Sequence, residues 1–260
     1  MKDPCGPCGL CCRSLIVPIY GVDLWRICRR RNRTPQSVAF YADQDQPDAF
    51  GFRFSPGAKT YRLALLKQEP MALTQPCIFL EDRGDGTSRC GIYEDRPMTC
   101  RVYPMFRIGP RVLQQQESLC PPDAWGDLDE IDLAWHQDMQ RTRMERDIYA
   151  EVVARWNAVI DHGMLPESVA PRLYGEYILS AYDRIGELTD SLGTDALADI
   201  VWHWARVAAP TPGDARVPRS EEPAWLTHFR RARSIIDGFF SDVPPLPFQR
   251  MIVETEATAG

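Results

Sequence analysis

Cysteine is absent from the last 140 residues of this chain, and lysine is nearly absent from all of it, with three against 27 arginines. The lysine shortage follows genome composition more often than chemistry and carries no functional reading. Also missing is any run approaching the roughly 18 to 20 apolar residues that a membrane-spanning helix requires. The opening MKDPCGPCGL has no apolar stretch of signal-peptide type. These absences argue against a helical membrane protein and make the cytoplasm the expected compartment. No histidine precedes His136, and His162, His203 and His228 follow it, so thiols and imidazoles are segregated along the chain. The simplest metal site is then all-thiolate. No Ser–His–Asp set, no paired carboxylates and no nucleotide or S-adenosylmethionine fingerprint stands out. Gly84-Asp85-Gly86 is too short and wrongly placed for a phosphate loop. Catalytic and cofactor-contacting residues therefore go unassigned.

What is present reads as globular. The 260 residues are 44% hydrophobic and 25% charged, enough for one large or two ordinary domains. Residues 1–124 carry a net charge of +4 and residues 125–260 a net charge of −10. A surplus of four is too weak for a nucleic-acid binder. The expected organisation is a cysteine-rich module over 1–124, then a helical domain over 125–260 with a proline-rich linker near 210–223. The expected fold class is α+β.

All nine cysteines lie at or before Cys120. The first four spell C-x-x-C-x-x-C-C, at Cys5, Cys8, Cys11 and Cys12. A two-residue spacer lets two sulfurs face one metal, and Gly6 and Gly9 allow the backbone angles of such a knuckle. The adjacent Cys11 and Cys12 point apart, so one of the two suffices for a given ion. Further ligands come from Cys77, Cys90, Cys100 and Cys120. A structural disulfide framework fits poorly with an odd cysteine count and no secretion signal. A thioredoxin-like redox site lacks its βαβ surroundings. Cys28 reads as an ordinary buried thiol on a helix face. Zinc and iron–sulfur clusters both accept four thiolates, and eight candidates leave room for two sites or for one site plus spare thiols.

The local pattern places these residues. Leu15–Tyr20 reads as extended. Asp23 reads as the cap of a helix from Leu24 to Arg31, and residues 42–60 as loop with a short strand at Phe50–Phe54. Tyr61–Lys67 reads as a strand. Cys77–Leu80 and Arg89–Tyr93 flank EDRGDGTS as a hairpin. A short helix carries Cys100 between Pro97 and Pro104, and a second hairpin turns at Gly109-Pro110. Ile131, Trp135, Met139, Ile148, Val152, Trp156 and Val159 fit one long amphipathic helix or two broken ones, with Gly163 as the stop. Further helices are expected over Pro171–Leu192, Asp195–Ala209 and Ala224–Phe240. Arg96 and Arg101 flank Cys100, where they either donate to sulfur or fix the turn. The basic run Arg26, Arg29, Arg30, Arg31 and Arg33 reads as a solvated helix end more readily than as a phosphate-binding edge. Trp202-His203-Trp204 reads as core packing.

The cysteine knuckle, the Asp23-Leu-Trp-Arg-Ile27 helix, Cys77 in PCIFL and the run Cys90-Gly-Ile-Tyr-Glu-Asp-Arg-Pro-Met-Thr-Cys100-Arg-Val-Tyr-Pro104 together resemble the CxxCxxCC cysteine-cluster family described as chelating zinc or iron. The resemblance covers about residues 1–124. It implies metal ligation by Cys5, Cys8, Cys11, Cys12, Cys77, Cys90, Cys100 and Cys120, with a 4Fe–4S cluster favoured over zinc. Flagellin lysine N-methylases are similar in this domain, which implies a protein lysine N-methyltransferase as one reading, beside redox chemistry or a part in a protein-modifying enzyme and a non-catalytic zinc-stabilised interaction module. A protein partner or protein substrate, met through the helical domain, is expected in each case.

Overall fold

A computed structural model describes residues 8–192, apart from 70–74, 109–110, 116–117, 121–132, 162, 164–166 and 169. The helices expected over Asp195–Ala209 and Ala224–Phe240, the proline-rich linker, the Gly109-Pro110 turn, Trp202-His203-Trp204 and Cys5 lie outside the described residues.

Chain order is α1 (Leu10–Ser14), α2 (Gly21–Arg31), a 3-10 turn (Pro35–Ser37), β1 (Ala39–Gln44), β2 (Thr60–Leu65), β3 (Leu80–Asp82), β4 (Ser88–Cys90), a second 3-10 turn (Tyr93–Asp95), α3 (Met98–Val102), β5 (Met105–Ile108), β6 (Arg111–Gln114), α4 (Leu133–Asp161) and α5 (Ala170–Leu192). The strands form three antiparallel pairs, β1–β2, β3–β4 and β5–β6. The result is a mixed α+β fold, with short hairpins first and longer helices after them.

Helix α2 starts three residues earlier than its sequence suggests. Asp23 is not the cap but the third helical residue. Its carboxylate reaches back to accept the Tyr20 N–H at 3.1 Å, which satisfies one of the donors a helix start leaves open. The helix ends where Asn32 adopts a left-handed conformation with φ 50°, a conformation asparagine tolerates. The strand expected at Phe50–Phe54 contributes a single bridge, Phe52 to Tyr61. Instead β1 pairs along the whole of β2, from Ala39 opposite Leu65 to Gln44 opposite Thr60. Phe52 and Phe54 are used as core aromatics.

One continuous apolar cluster runs from Ile19, Leu24 and Ile27 of the N-terminal part to Val152, Trp156, Tyr174 and Ile178 of α4 and α5. Phe52 stacks on Tyr174 with ring centroids 3.8 Å apart, and the Trp156 indole N–H donates to the Arg53 carbonyl at 2.8 Å. Each fully buried side chain of this size contributes about 1.5–3 kcal/mol. Close backbone approach matters at Gly175, where a Cβ would stand 2.6 Å from the Pro35 ring. Leu133–Asp161 form one unbroken helix, and Gly163, with φ 65°, follows as expected.

Candidate metal centre

The eight described cysteines are all free thiols. Cys11 and Cys12 sit on α1, the short helix that follows the left-handed Gly9. The Cys77 N–H donates to the Cys12 carbonyl at 2.8 Å, tying the knuckle to the PCIFL segment. Cys90 ends β4, where it pairs in register with Leu80. Cys100 lies in the middle of α3. Cys11, Cys77, Cys90 and Cys100 lie close enough for each to act on the others' charge. The Cys100 thiol is pushed well above its usual pKa, first by burial and then by Cys77, Cys11 and Cys90 around it. Cys90 and Cys77 are raised for the same first reason and also feel Cys11. Cys11 is raised by its hydrogen bond with the Cys12 side chain and by burial, so the two adjacent side chains meet rather than diverge as their spacing suggested.

Two backbone donors oppose that trend. The Phe79 N–H points at the Cys77 sulfur, and the Ile92 N–H points at the Cys90 sulfur; each pulls its thiol's pKa down. In both cases the donor lies two residues after the cysteine, and N–H donors of this kind stabilise a thiolate over a thiol. Cys8 and Cys120 meet the group through Tyr103. They and Cys11 all act on the Tyr103 hydroxyl, which accepts the Leu119 N–H at 2.9 Å. Cys28 is elsewhere: it is 3% exposed within the apolar cluster, and burial pushes its thiol up to about 11.

Among the described residues, no three histidine, cysteine, aspartate or glutamate side chains stand in a geometry that would hold a metal ion. The donor set nevertheless fits zinc or an iron–sulfur cluster in kind, because it is all sulfur and supplied with backbone N–H donors.

Two residues at the site were not singled out from sequence. Lys67 is 2% exposed, and its ammonium donates to the Leu15 carbonyl at 2.6 Å. Burial lowers its pKa, while Cys77, Cys12 and Cys11 act in the opposite sense. Strand parity held the clue, since Leu63, Leu65 and Lys67 share one face, and all three are buried. Asp23 is the other. Besides Tyr20 it accepts the Met98 N–H at 2.9 Å and pairs with Arg26 at 2.8 Å. It thereby fastens the start of the Cys100 helix to α2.

The arginines of the motif mostly fix the turn. The Arg101 Nε donates to the Arg96 carbonyl at 3.1 Å and its Nη2 to the Glu94 carbonyl. Arg96 lies 3.9 Å above the Tyr93 ring, and its charge favours the Cys90 thiolate. The basic run is not a free edge. Arg30 and Arg31 both grip Asp95, at 2.8 and 2.9 Å, Arg29 pairs with Asp183 of α5, and Arg33 lies 5.6 Å over the Phe79 ring.

The thiols carried by α1, the Cys77 segment, β4 and α3 make this a cysteine-rich domain. Residues 4–121, a little under half of the chain, match the family model described as "CxxCxxCC: Putative zinc- or iron-chelating domain". That stretch is a CxxCxxCC-type cysteine domain. No curated protein and no solved structure matches the chain, and nothing in the comparisons points to a flagellin methylase. No helix among the described residues is long and apolar enough to cross a membrane.

Proposed function

We propose that the CxxCxxCC domain holds an all-cysteine iron–sulfur cluster, with Cys11, Cys77, Cys90 and Cys100 as its principal ligands, and that the chain uses this centre in electron transfer or as part of a protein-modifying enzyme. The mutual electrostatic influence of those four thiols, brought in by α1, the PCIFL segment, β4 and α3, supports the reading. The backbone N–H donors on Cys77 and Cys90 support it, because such donors stabilise bound sulfur and tune its potential. Cys5, Cys8, Cys12 and Cys120 then supply exchange ligands or a second site. Cys8 and Cys120 act on Tyr103 together with Cys11, so either role is open to them. The bound cluster would supply one-electron chemistry. The chain's own residues aim backbone N–H donors at the Cys77 and Cys90 sulfurs. The helices that follow residue 124 are the proposed surface for a protein partner or protein substrate, in the cytoplasm.

The same donors suit zinc, which would make the domain a stabilised interaction module. A visible spectrum of the full chain, purified without oxygen and without added metal, separates the two, with iron, zinc and sulfide assayed on one sample. Brown protein with absorbance near about 400 nm and equal iron and sulfide supports the cluster. Colourless protein with zinc and no sulfide overturns it in favour of the module.

A further inference from the structure

Burying a lysine is costly unless an anion stands beside it. Lys67 is 2% exposed, yet among the described residues no carboxylate lies within ion-pair distance of it; every ion pair uses other cations. An ammonium has three N–H donors, and the Leu15 carbonyl takes one of them. The charges that act on it are those of Cys77, Cys12 and Cys11. The bridge between Lys67 and Cys77 and the hydrogen bond from the Cys77 N–H to the Cys12 carbonyl tie the backbone of the lysine to the knuckle segment. A four-thiolate site carries a net negative charge even when loaded with one divalent ion. A cation that cannot leave the interior offsets that charge.

We propose that Lys67 is the buried counter-cation of the cysteine site, a positioning residue whose ammonium offsets the negative charge of the metal-loaded sulfurs. This rests on the reading that these thiols hold metal. A counter-cation has a signature that a plain structural lysine lacks. Its removal weakens the loaded state and relieves the metal-free one, because without thiolates the ammonium is a buried charge with no anion.

The test uses the full chain with zinc as the probe ion, titrated against a competing chelator, and thermal melting with and without zinc. Lys67→Met removes the charge. Lys67→Gln also removes it but keeps a donor for the Leu15 carbonyl, so it stands in if the Met variant misfolds. Lys67→Arg keeps the charge. The expected result is zinc binding about 10–100-fold weaker in the Met and Gln variants, partial recovery in the Arg variant, and metal-free melting no lower than wild type in the Gln variant. In protein that carries iron and sulfide, the neutral variants should have a more negative midpoint potential, since reduction then adds an electron with no nearby cation. Zinc affinity equal to wild type in both neutral variants overturns the proposal and leaves the metal reading standing. So does equal destabilisation of the metal-free and loaded forms, which marks a purely structural lysine. Wild-type chain that takes up neither zinc nor iron overturns the metal reading and the proposal with it.

Discussion

Glutamate 145, on α4, is an acid held where it resists ionisation. The residue as a whole is partly exposed, but its Oε2 is sealed from solvent and has no hydrogen-bond partner among the described residues. Burial, followed by the neighbouring Asp23 carboxylate, raises its pKa from 4.5 to about 8, with Arg26 opposing. The unfolded chain therefore ionises this group at lower pH than the folded one. Below the unfolded value both states are protonated and the group contributes its full stability. As pH rises toward the folded value that stability is lost, at about 1.4 kcal/mol per pH unit. At pH 7 the loss reaches about 3 kcal/mol. Glu145→Gln keeps the shape and removes the titration. Urea unfolding of the two proteins should agree near pH 4.5 and diverge steadily above it, with the variant more stable by about 3 kcal/mol at pH 7. Parallel curves, or a variant that is less stable at pH 7, would refute the buried-acid assignment.

Other perturbations follow from the same geometry. Cys8→Ser and Cys100→Ser should both lose metal and destabilise the cysteine module, read by metal content and melting temperature. Because burial raises the thiols of Cys77, Cys90 and Cys100, metal must displace their protons. Zinc affinity should therefore rise with pH between about 7 and 9, and a flat profile would contradict protonated resting thiols. Asp95→Asn removes the carboxylate that Arg30 and Arg31 share. Burial alone would raise this acid, yet the two guanidiniums hold it below the usual carboxylate range. The variant should cost about 1–3 kcal/mol in chemical denaturation. Gly175→Ala should cost a similar amount by overpacking, despite the better helix propensity of alanine, because the Pro35 ring cannot yield.

Legibility in the sequence depended on the kind of signal. The β3–β4 hairpin was readable because glycine and aspartate punctuate it, although its strands hug the turn more closely than the apolar runs implied. The Cys100 helix was readable from the prolines at either end. β1 was not, because AFYADQ turns polar halfway along its half-exposed length, while the more aromatic GFRF behind it looked the better strand. The cysteines of the site stood out by spacing, and Cys28 stood apart by its helix position. Which thiols converge was not legible, since it depends on how the Cys77 segment docks on α1. Lys67 and Asp23 were obscured by composition: one looks like a strand terminus and the other like a helix cap until packing buries both.

Cys77 and Cys28 offer the most direct test of the central claim. Both are buried, at 7% and 3% exposure, so serine at either position imposes a comparable packing penalty. Only Cys77 faces the other thiols. Metal per chain, measured on Cys77→Ser and Cys28→Ser purified alongside wild type, should fall sharply in the first and match wild type in the second. Full metal in the Cys77 variant, or equal loss in both, would contradict a centre built on the converging thiols.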